Sequence, residues 1–531
     1  MAEKQEEKSI SLKSQSAWLL FAKTVGFAIS FLLPLLVVRY LSQDEVGLYR
    51  QVFLVIVSAN TILPLGFGMS AFYFLSRETV RRPAVVLNTL LFNFAIGGIA
   101  FLALYFYPQL LGNIFQSAEM TRLAPLIGIV IWIWIFSAFL EIVAVANQEA
   151  RLATFFIIFA QLTKTLLMTA AVMIFSTVES FVYAAMVQSI LQTIALLAYL
   201  HFRFPGFWTS FDAPFFREQL FYALPFGLSG LIWALQNDVH NYFVGYRFSE
   251  AEFAIYAFGC FQIPLMGMLF ESVNAILIPR MSQLEAQNDK TEMLRLTIRA
   301  MQKLAFFCFP VYIFLLITAQ TFITTLFTQN YQASVPIFMI NLTLLPLYVL
   351  VTDPITRAYK ELGRLLLIMR VSILILLIAA LYFGIQYLDL RGMILIVVVT
   401  AVIDRFVSSA MALKKINFGI GDLFLLKDIG KLAVASLIAG VFTFLFYYQV
   451  NETIFKWGTS VMLTFFSTTK QGLIGFGAGV FVLGFCALIF VPIYLASANF
   501  FGLIEDEEKE KVKKIFDRII LGSRTANETN N

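Results

Sequence analysis

Charge, histidine and cysteine are all scarce in these 531 residues, and each scarcity argues against a class of protein. Only 13% of the residues are charged, about half the share usual in a soluble globular chain. The two histidines, His201 and His240, stand in no Cys/His cluster, which argues against a structural zinc site. Cys260, Cys308 and Cys486 all fall in apolar runs, so no disulfide framework is implied. The net charge of +5 is spread over short polar segments rather than one face, which gives nucleic acid no footprint. No P-loop, H-E-x-x-H, G-x-S-x-G or C-x-x-C element supports an enzymatic reading. Long polar stretches are missing as well. The sizeable ones are the connector 201–217, the loop 281–301 and the tail from 502 onwards.

What is present is apolar length. Sixty per cent of the residues are hydrophobic, and the mean hydropathy is +0.81. Apolar runs of 20 or more residues recur, enough to cross roughly 30 Å of hydrocarbon as a helix. They predict an all-α polytopic membrane protein with about fourteen spans: 17–40, 47–73, 84–107, 123–146, 151–176, 179–200, 218–244, 252–280, 302–327, 332–356, 365–385, 392–412, 430–449 and 471–497. The polar start MAEKQEEKSISLKSQS leads into a long apolar run without an A-x-A-like site, the pattern of a retained first helix. With the N-terminus inside, 27 Lys and Arg fall in cytoplasmic segments and 6 in external ones, a bias that predicts two cytoplasmic termini. The stretch 503–521 has the spacing of a basic amphipathic helix for the inner leaflet, or of a solvated helix ending the chain.

An internal repeat organises the spans. Ser42, Glu45 and Tyr49 recur as Ser249, Glu252 and Tyr256, each shifted by 207 positions. Ser-x-x-Glu is a capping box, which satisfies free backbone N–H groups as a helix begins. Both copies fall outside the membrane, between the first and second helix of a six-helix block. The expected division is an N-terminal lobe 1–200, a connector 201–217, a C-terminal lobe 218–415, two further helices in 416–500 and a cytoplasmic tail 501–531. Parallel repeats of this kind are a transporter architecture, with the substrate between the halves.

The stretch RYLSQDEVGLYRQVFLV, followed by LGFGMSAFYFLSRE, resembles the opening of Wzx-type polysaccharide-biosynthesis flippases of the MOP superfamily. QNDVHNYFVGYRFSEAEFAIYA resembles their junction between helices 7 and 8. The likeness in layout covers nearly the whole chain. It implies a flippase that moves a lipid-linked oligosaccharide, on a polyprenyl diphosphate carrier, across the bacterial cytoplasmic membrane by alternating access. Implied partners are that substrate, membrane lipids and the glycosyltransferases or polymerase of the same pathway. The chain is expected not to be an enzyme and to hold no cofactor, with coupling to a sodium or proton gradient as an option.

Ionisable residues inside the bilayer are costly and mark functional sites by default. The cations are Lys23, Arg50, Lys164, Arg370 and Arg405, and the acids Glu141, Asp238, Glu271, Asp353 and Asp404. Lys164 is the deepest, roughly 21 Å into its span at 1.5 Å per residue. Arg370 and Arg405 lie near the cytoplasmic side, where they can snorkel. The first half is richer in cations, the second in acids. A cation-rich first half suits the diphosphate headgroup that the resemblance implies, and Lys23, Arg50, Lys164 and Arg405 are the candidate cations for it. The resemblance places a coupling ion at Asp238 and Asn241, with Glu271, Asp404 and His240 as further candidates. Span 365–385 departs from the family pattern, offering no acid and only Ser372, which weakens the case for sodium. Buried structural pairing competes with each of these assignments. Two rivals stay open: a cation-coupled exporter of small molecules, and a membrane-embedded glycosyltransferase or polymerase using Asp44-Glu45.

Overall fold

The computed structural model describes residues 18, 21, 24–26, 28–78, 80–465 and 471–504. Lys23 and the expected amphipathic segment beyond residue 504 lie outside the described residues. Among the described residues the chain is helical and contains no strand.

The first six-helix block comprises α1 (Thr24–Tyr40), α2 (Gln43–Ile62), α3 (Phe67–Arg77), α4 (Arg82–Phe106), the short α5 (Gln109–Phe115), α6 (Ala118–Ser137), α7 (Phe139–Ala146), α8 (Ala150–Ile174) and α9 (Val178–Arg203). After a 3-10 turn at Phe207–Thr209 come α10 (Ala213–Arg247), α11 (Glu250–Gly259), α12 (Pro264–Ala286), α13 (Lys290–Ile317), α14 (Ala319–Phe327), α15 (Ser334–Leu342), α16 (Asp353–Ala358), α17 (Lys360–Gly384) and α18 (Leu390–Lys415). The terminal pair is α19 (Lys427–Phe465) and α20 (Gln471–Phe500).

Among the described residues, nine helices are long and apolar enough to cross a membrane, with α6 and α7 counted together, and up to eleven if α2 with α3 and α11 with α12 each form one span. The remaining three positions of the sequence-based fourteen are occupied by α1, α10 and the broken run from α15 to α16. In α10 the cluster Gln236, Asn237, Asp238, His240 and Asn241 dilutes an otherwise apolar helix. The polar stretch 281–301 is mostly helix rather than loop, because α12 and α13 extend their charged ends past the apolar run. Only 287–289 interrupts them, and Asp289 Oδ1 accepts from the Glu292 N–H at 3.0 Å to start α13.

The chain forms two compact units. One comprises Met1–Phe261, Leu326–Ile337 and Leu367–Thr400, the other Gln262–Thr325, Phe338–Leu366 and Ala401–Asn531. In the first unit α6 packs between α4 and α9, and α8 lies along α9. Phe74, Phe139, Phe156, Tyr199, Phe207 and Phe215 fill its core beneath the α3–α4 end. In the second unit α19 runs along α20 and also packs on α13, and Tyr494 Oη donates to the Phe306 carbonyl at 2.8 Å.

Both capping boxes close. Glu45 Oε2 accepts from the Ser42 N–H at 2.8 Å, and Glu252 Oε2 from the Ser249 N–H at 3.0 Å. The two helices they begin, α2 and α11, pack side by side within the first unit. Gly47 makes this approach feasible, since a Cβ there would lie 1.8 Å from the Glu250 carbonyl oxygen. Further along, α2 and α3 meet at 42° across a turn containing Pro64. Gly66 adopts φ +78 in that turn and lies against α10, where a Cβ would come within 2.5 Å of the Ala223 carbonyl. The backbone needs glycine there twice over, for its dihedral and for its space.

A second repeat emerges where the fifth and sixth helices of each block meet. Arg203 pairs with Glu149 at 2.9 Å, and Lys415 with Glu361 at 2.5 Å, each residue shifted by 212 positions. Each pair ties the start of the fifth helix of a block to the end of the sixth. The first pair is the better supported: Glu149 also accepts from Tyr199 Oη at 2.8 Å, and Tyr199 from Asn147 Nδ2 at 3.0 Å, while Asn147 in turn accepts from Arg82. The Glu361 side chain is 75% exposed, so its pair contributes little stability.

Gly47→Ala is expected to destabilise the protein by about 1–3 kcal/mol through overpacking, read as a lower melting temperature in detergent. An unchanged melting temperature would contradict the close α2–α11 contact.

Candidate functional site

A cavity of about 400 Å³ lies among α1, α2, α6, α7, α8 and α9 of the first unit. Helical spacing explains its lining. In α8, Ile157, Ala160, Gln161 and Lys164 share one face. Trp134, Ala138 and Glu141 recur at i, i+4 and i+7 across the α6–α7 junction, and Gln188 and Gln192 stand one turn apart in α9. Gly26 and Ser30 of α1 and Asn60 of α2 complete it.

The chemistry of this lining is one cation, one carboxylate, four amides, a hydroxyl and an indole. Lys164 Nζ stands 4.8 Å from the Trp134 ring centroid, a cation–π contact. Among the described residues Lys164 forms no ion pair. The amides form a short relay, in which Gln188 Nε2 donates to Gln192 Oε1 at 2.8 Å and Gln192 Nε2 to the Ser137 carbonyl at 3.2 Å. Gln188 is buried. Its Oε1 and the Oδ1 of Asn60 have no hydrogen-bond partner among the described residues.

Of the residues singled out from the sequence, the structure brings Lys164 and Glu141 into this cavity. Arg50 lies elsewhere in the first unit, with its guanidinium 4.6 Å over the Phe258 ring. Asp238 is half-buried in α10 and makes no hydrogen bond or ion pair among the described residues. Asn241 shares its helix face one turn on. His240 points elsewhere: it is buried, and its Nδ1 bonds Tyr256 Oη at 2.8 Å. The repeat tyrosine therefore has a structural use in the second copy, while Tyr49 packs between Phe53 and Phe181. Glu271, Asp404 and Arg405 belong to the second unit. Glu271 is exposed, and Arg405 lies 5.5 Å from the Phe270 ring. No group of three His, Cys, Asp or Glu able to hold a metal ion occurs among the described residues.

The cavity's uncharged members stand outside the candidates that charge marks in the sequence. Trp134, Asn60, Gln161, Gln188 and Gln192 carry no charge, so a search for ionisable groups passes over them. Their signal was nonetheless there, since amides one turn apart inside an apolar run are as anomalous as a lone lysine.

Residues 36–336 match the sequence profile of a family described as polysaccharide biosynthesis protein. No curated protein matches the chain significantly. Among solved structures, the fold is similar to the lipid II flippase MurJ in an inward closed conformation, with a TM-score of 0.64 at 16% identity over 91% of this chain and 98% of that one. A MOP superfamily transporter from Pyrococcus furiosus gives 0.55 at 16% identity, covering 76% of this chain and 96% of that one. An inward-facing multidrug resistance MATE transporter of the same superfamily gives 0.58 at 14% identity, over 75% and 98%. At such identities the likeness establishes the fold.

Tyr256→Phe is expected to leave the buried His240 nitrogen unpaired and to cost about 1–3 kcal/mol, measured as a fall in thermal stability in detergent. Wild-type stability would contradict a structural role for this histidine.

Proposed function

The chain belongs to the polysaccharide biosynthesis protein family, and on that premise we propose that it is a flippase carrying a lipid-linked oligosaccharide across the bacterial cytoplasmic membrane by alternating access. The observation that carries this reading is Lys164, the one cation among the described residues that line the amide-rich cavity. An ammonium in a low-dielectric cavity suits a diphosphate, and amides with an indole suit sugar hydroxyls and ring faces. Asp238, with Asn241 one turn on, is the proposed site of a coupling sodium ion or proton. The pathway's glycosyltransferases or polymerase are the proposed partners.

A second reading, export of small cations, draws on Glu141 in the same cavity and on the fold shared with the MATE transporter. Lys164 weighs against it, because it would repel a cationic cargo.

A strain lacking this gene is expected to accumulate lipid-linked glycan on the inner leaflet, and the wild-type gene to relieve it. Lys164→Ala and Asp238→Ala are each expected to abolish that relief at normal protein levels. Full activity in both variants would contradict the site assignment. Glycan distribution unaffected by the deletion, with increased sensitivity to cationic dyes, would favour the exporter.

A further inference from the structure

The link between α18 and α19, residues 416–426, is short, ordered and apolar on its outside. Asn417 adopts the left-handed region at φ 62. The Phe418 N–H reaches back to the Leu413 carbonyl at 3.0 Å, and the Asn417 N–H to that of Lys414 at 3.2 Å. This Schellman ending turns the chain out of α18. Lys290 Nζ, 3.4 Å from Asn417 Oδ1, ties the turn to the start of α13. The Gly419 N–H then donates to Asp422 Oδ2 at 2.8 Å, opening a 3-10 turn over Ile420–Leu426. Ile416 is buried, but Ile420, Leu423 and Phe424 are 88%, 53% and 67% exposed.

The surroundings say what covers them. α18 and the run Ile420–Phe465 that contains α19 are each long and apolar enough to cross a membrane. Lys414 and Lys415 end one span, and Lys427 and Lys431 begin the next, so the link lies where both leave the hydrocarbon. Apolar side chains at that level, flanked by lysines, have the composition of an in-plane anchor. Lysines beside a span are commonplace; the distinguishing feature here is that the nearby acids are committed. Glu361 pairs with Lys415, Asp428 pairs with Lys431 at 2.9 Å, and Asp422 caps the Gly419 N–H. Lys414 and Lys427 are exposed and form no ion pair among the described residues. Lys427 Nζ lies 3.9 Å from the Phe424 ring centroid, so charge and apolar side chains share one surface.

We propose that this link is a seat for an anionic phospholipid of the adjacent leaflet, with Ile420, Leu423 and Phe424 entering the acyl boundary and Lys414 and Lys427 on the headgroup phosphate. The seat holds the terminal pair α19 and α20 at a fixed depth. It rests on the membrane-spanning lengths of α18 and α19 and not on the identity of the cargo.

Native mass spectrometry of the purified full-length chain, from micelles holding equal amounts of phosphatidylglycerol and phosphatidylcholine, tests the charged part. The wild type is expected to retain phosphatidylglycerol in preference, by roughly fivefold for each lysine engaged. Lys414→Gln combined with Lys427→Gln is expected to bring the two lipids close to parity. Lys456→Gln, near the other end of α19, is expected to leave the preference unchanged. The apolar part is read from a bimane label on Ile420→Cys in a chain whose three native cysteines are alanine, reconstituted in phosphatidylglycerol vesicles. Nitroxide-bearing lipid is expected to quench it more strongly than iodide does, with the reverse order for a label on Asn288→Cys in the exposed interruption between α12 and α13. Equal retention of both lipids by the wild type, or an undiminished preference in the double lysine variant, would overturn the proposal. So would a label at 420 as open to iodide as one at 288, the result expected if the link faces a soluble partner or water. The lysine variants keep the native cysteines, so this arm decides even if the cysteine-free chain does not fold.

Discussion

Keeping the Lys164 ammonium inside a bundle of apolar helices is the constraint on which the site depends. A lysine at the centre of a membrane helix costs about 2.5–3.5 kcal/mol on insertion scales. The Trp134 face offsets up to about 2 kcal/mol of that when desolvated. The rest has to come from the polar lining and from whatever occupies the cavity. Such a residue is poorly placed as a purely structural group, because an apolar side chain would fill the same space at no electrostatic cost. The amides around it follow the same logic, since each polar group in hydrocarbon needs a partner from the protein or a ligand.

The remainder of the first unit holds that lining in register. Gly47 lets α2 and α11 close on each other, and the two capping boxes fix where those helices start. The break at Gly66 redirects the chain from α2 into α3 just beyond Asn60. At the N-terminal end of α8, the network running from Arg82 through Asn147 and Tyr199 to Glu149 and Arg203 joins α8 to α9, the two helices that supply Lys164 and Gln188. Its counterpart at Glu361 and Lys415 keeps the ion pair without the tyrosine and asparagine, so the two blocks share a topology but differ in how firmly these ends are tied.

Much of the architecture was legible in the sequence. Apolar length located the helices, and Ser-x-x-Glu marked the region where α2 and α11 begin, at Gln43 and Glu250 rather than at the 47 and 252 that apolar length gave, because both signals are local. The breaks were less legible. Pro64 marked one, but the mostly helical 281–301 read as a loop, since charges that extend a helix into water look the same in sequence as charges in a coil. The 212-position repeat was missed because Arg203 aligns with a lysine and Asn147 with Tyr359. Lys164 was legible by depth alone, whereas its neighbours Trp134, Asn60 and Gln188 depend on packing between helices distant in sequence. Counting charges also grouped Arg50 with Lys164, which the fold places at separate sites within one unit.

The central claim, that the headgroup of a lipid-linked glycan enters the Lys164 cavity, is tested most directly by photo-cross-linking in living cells. A benzophenone amino acid at Gln161, which lines the cavity, is compared with one at Leu166, 58% exposed on the same helix. The account predicts a glycan-bearing adduct from position 161 and none from position 166. Adducts from 166 alone would contradict it.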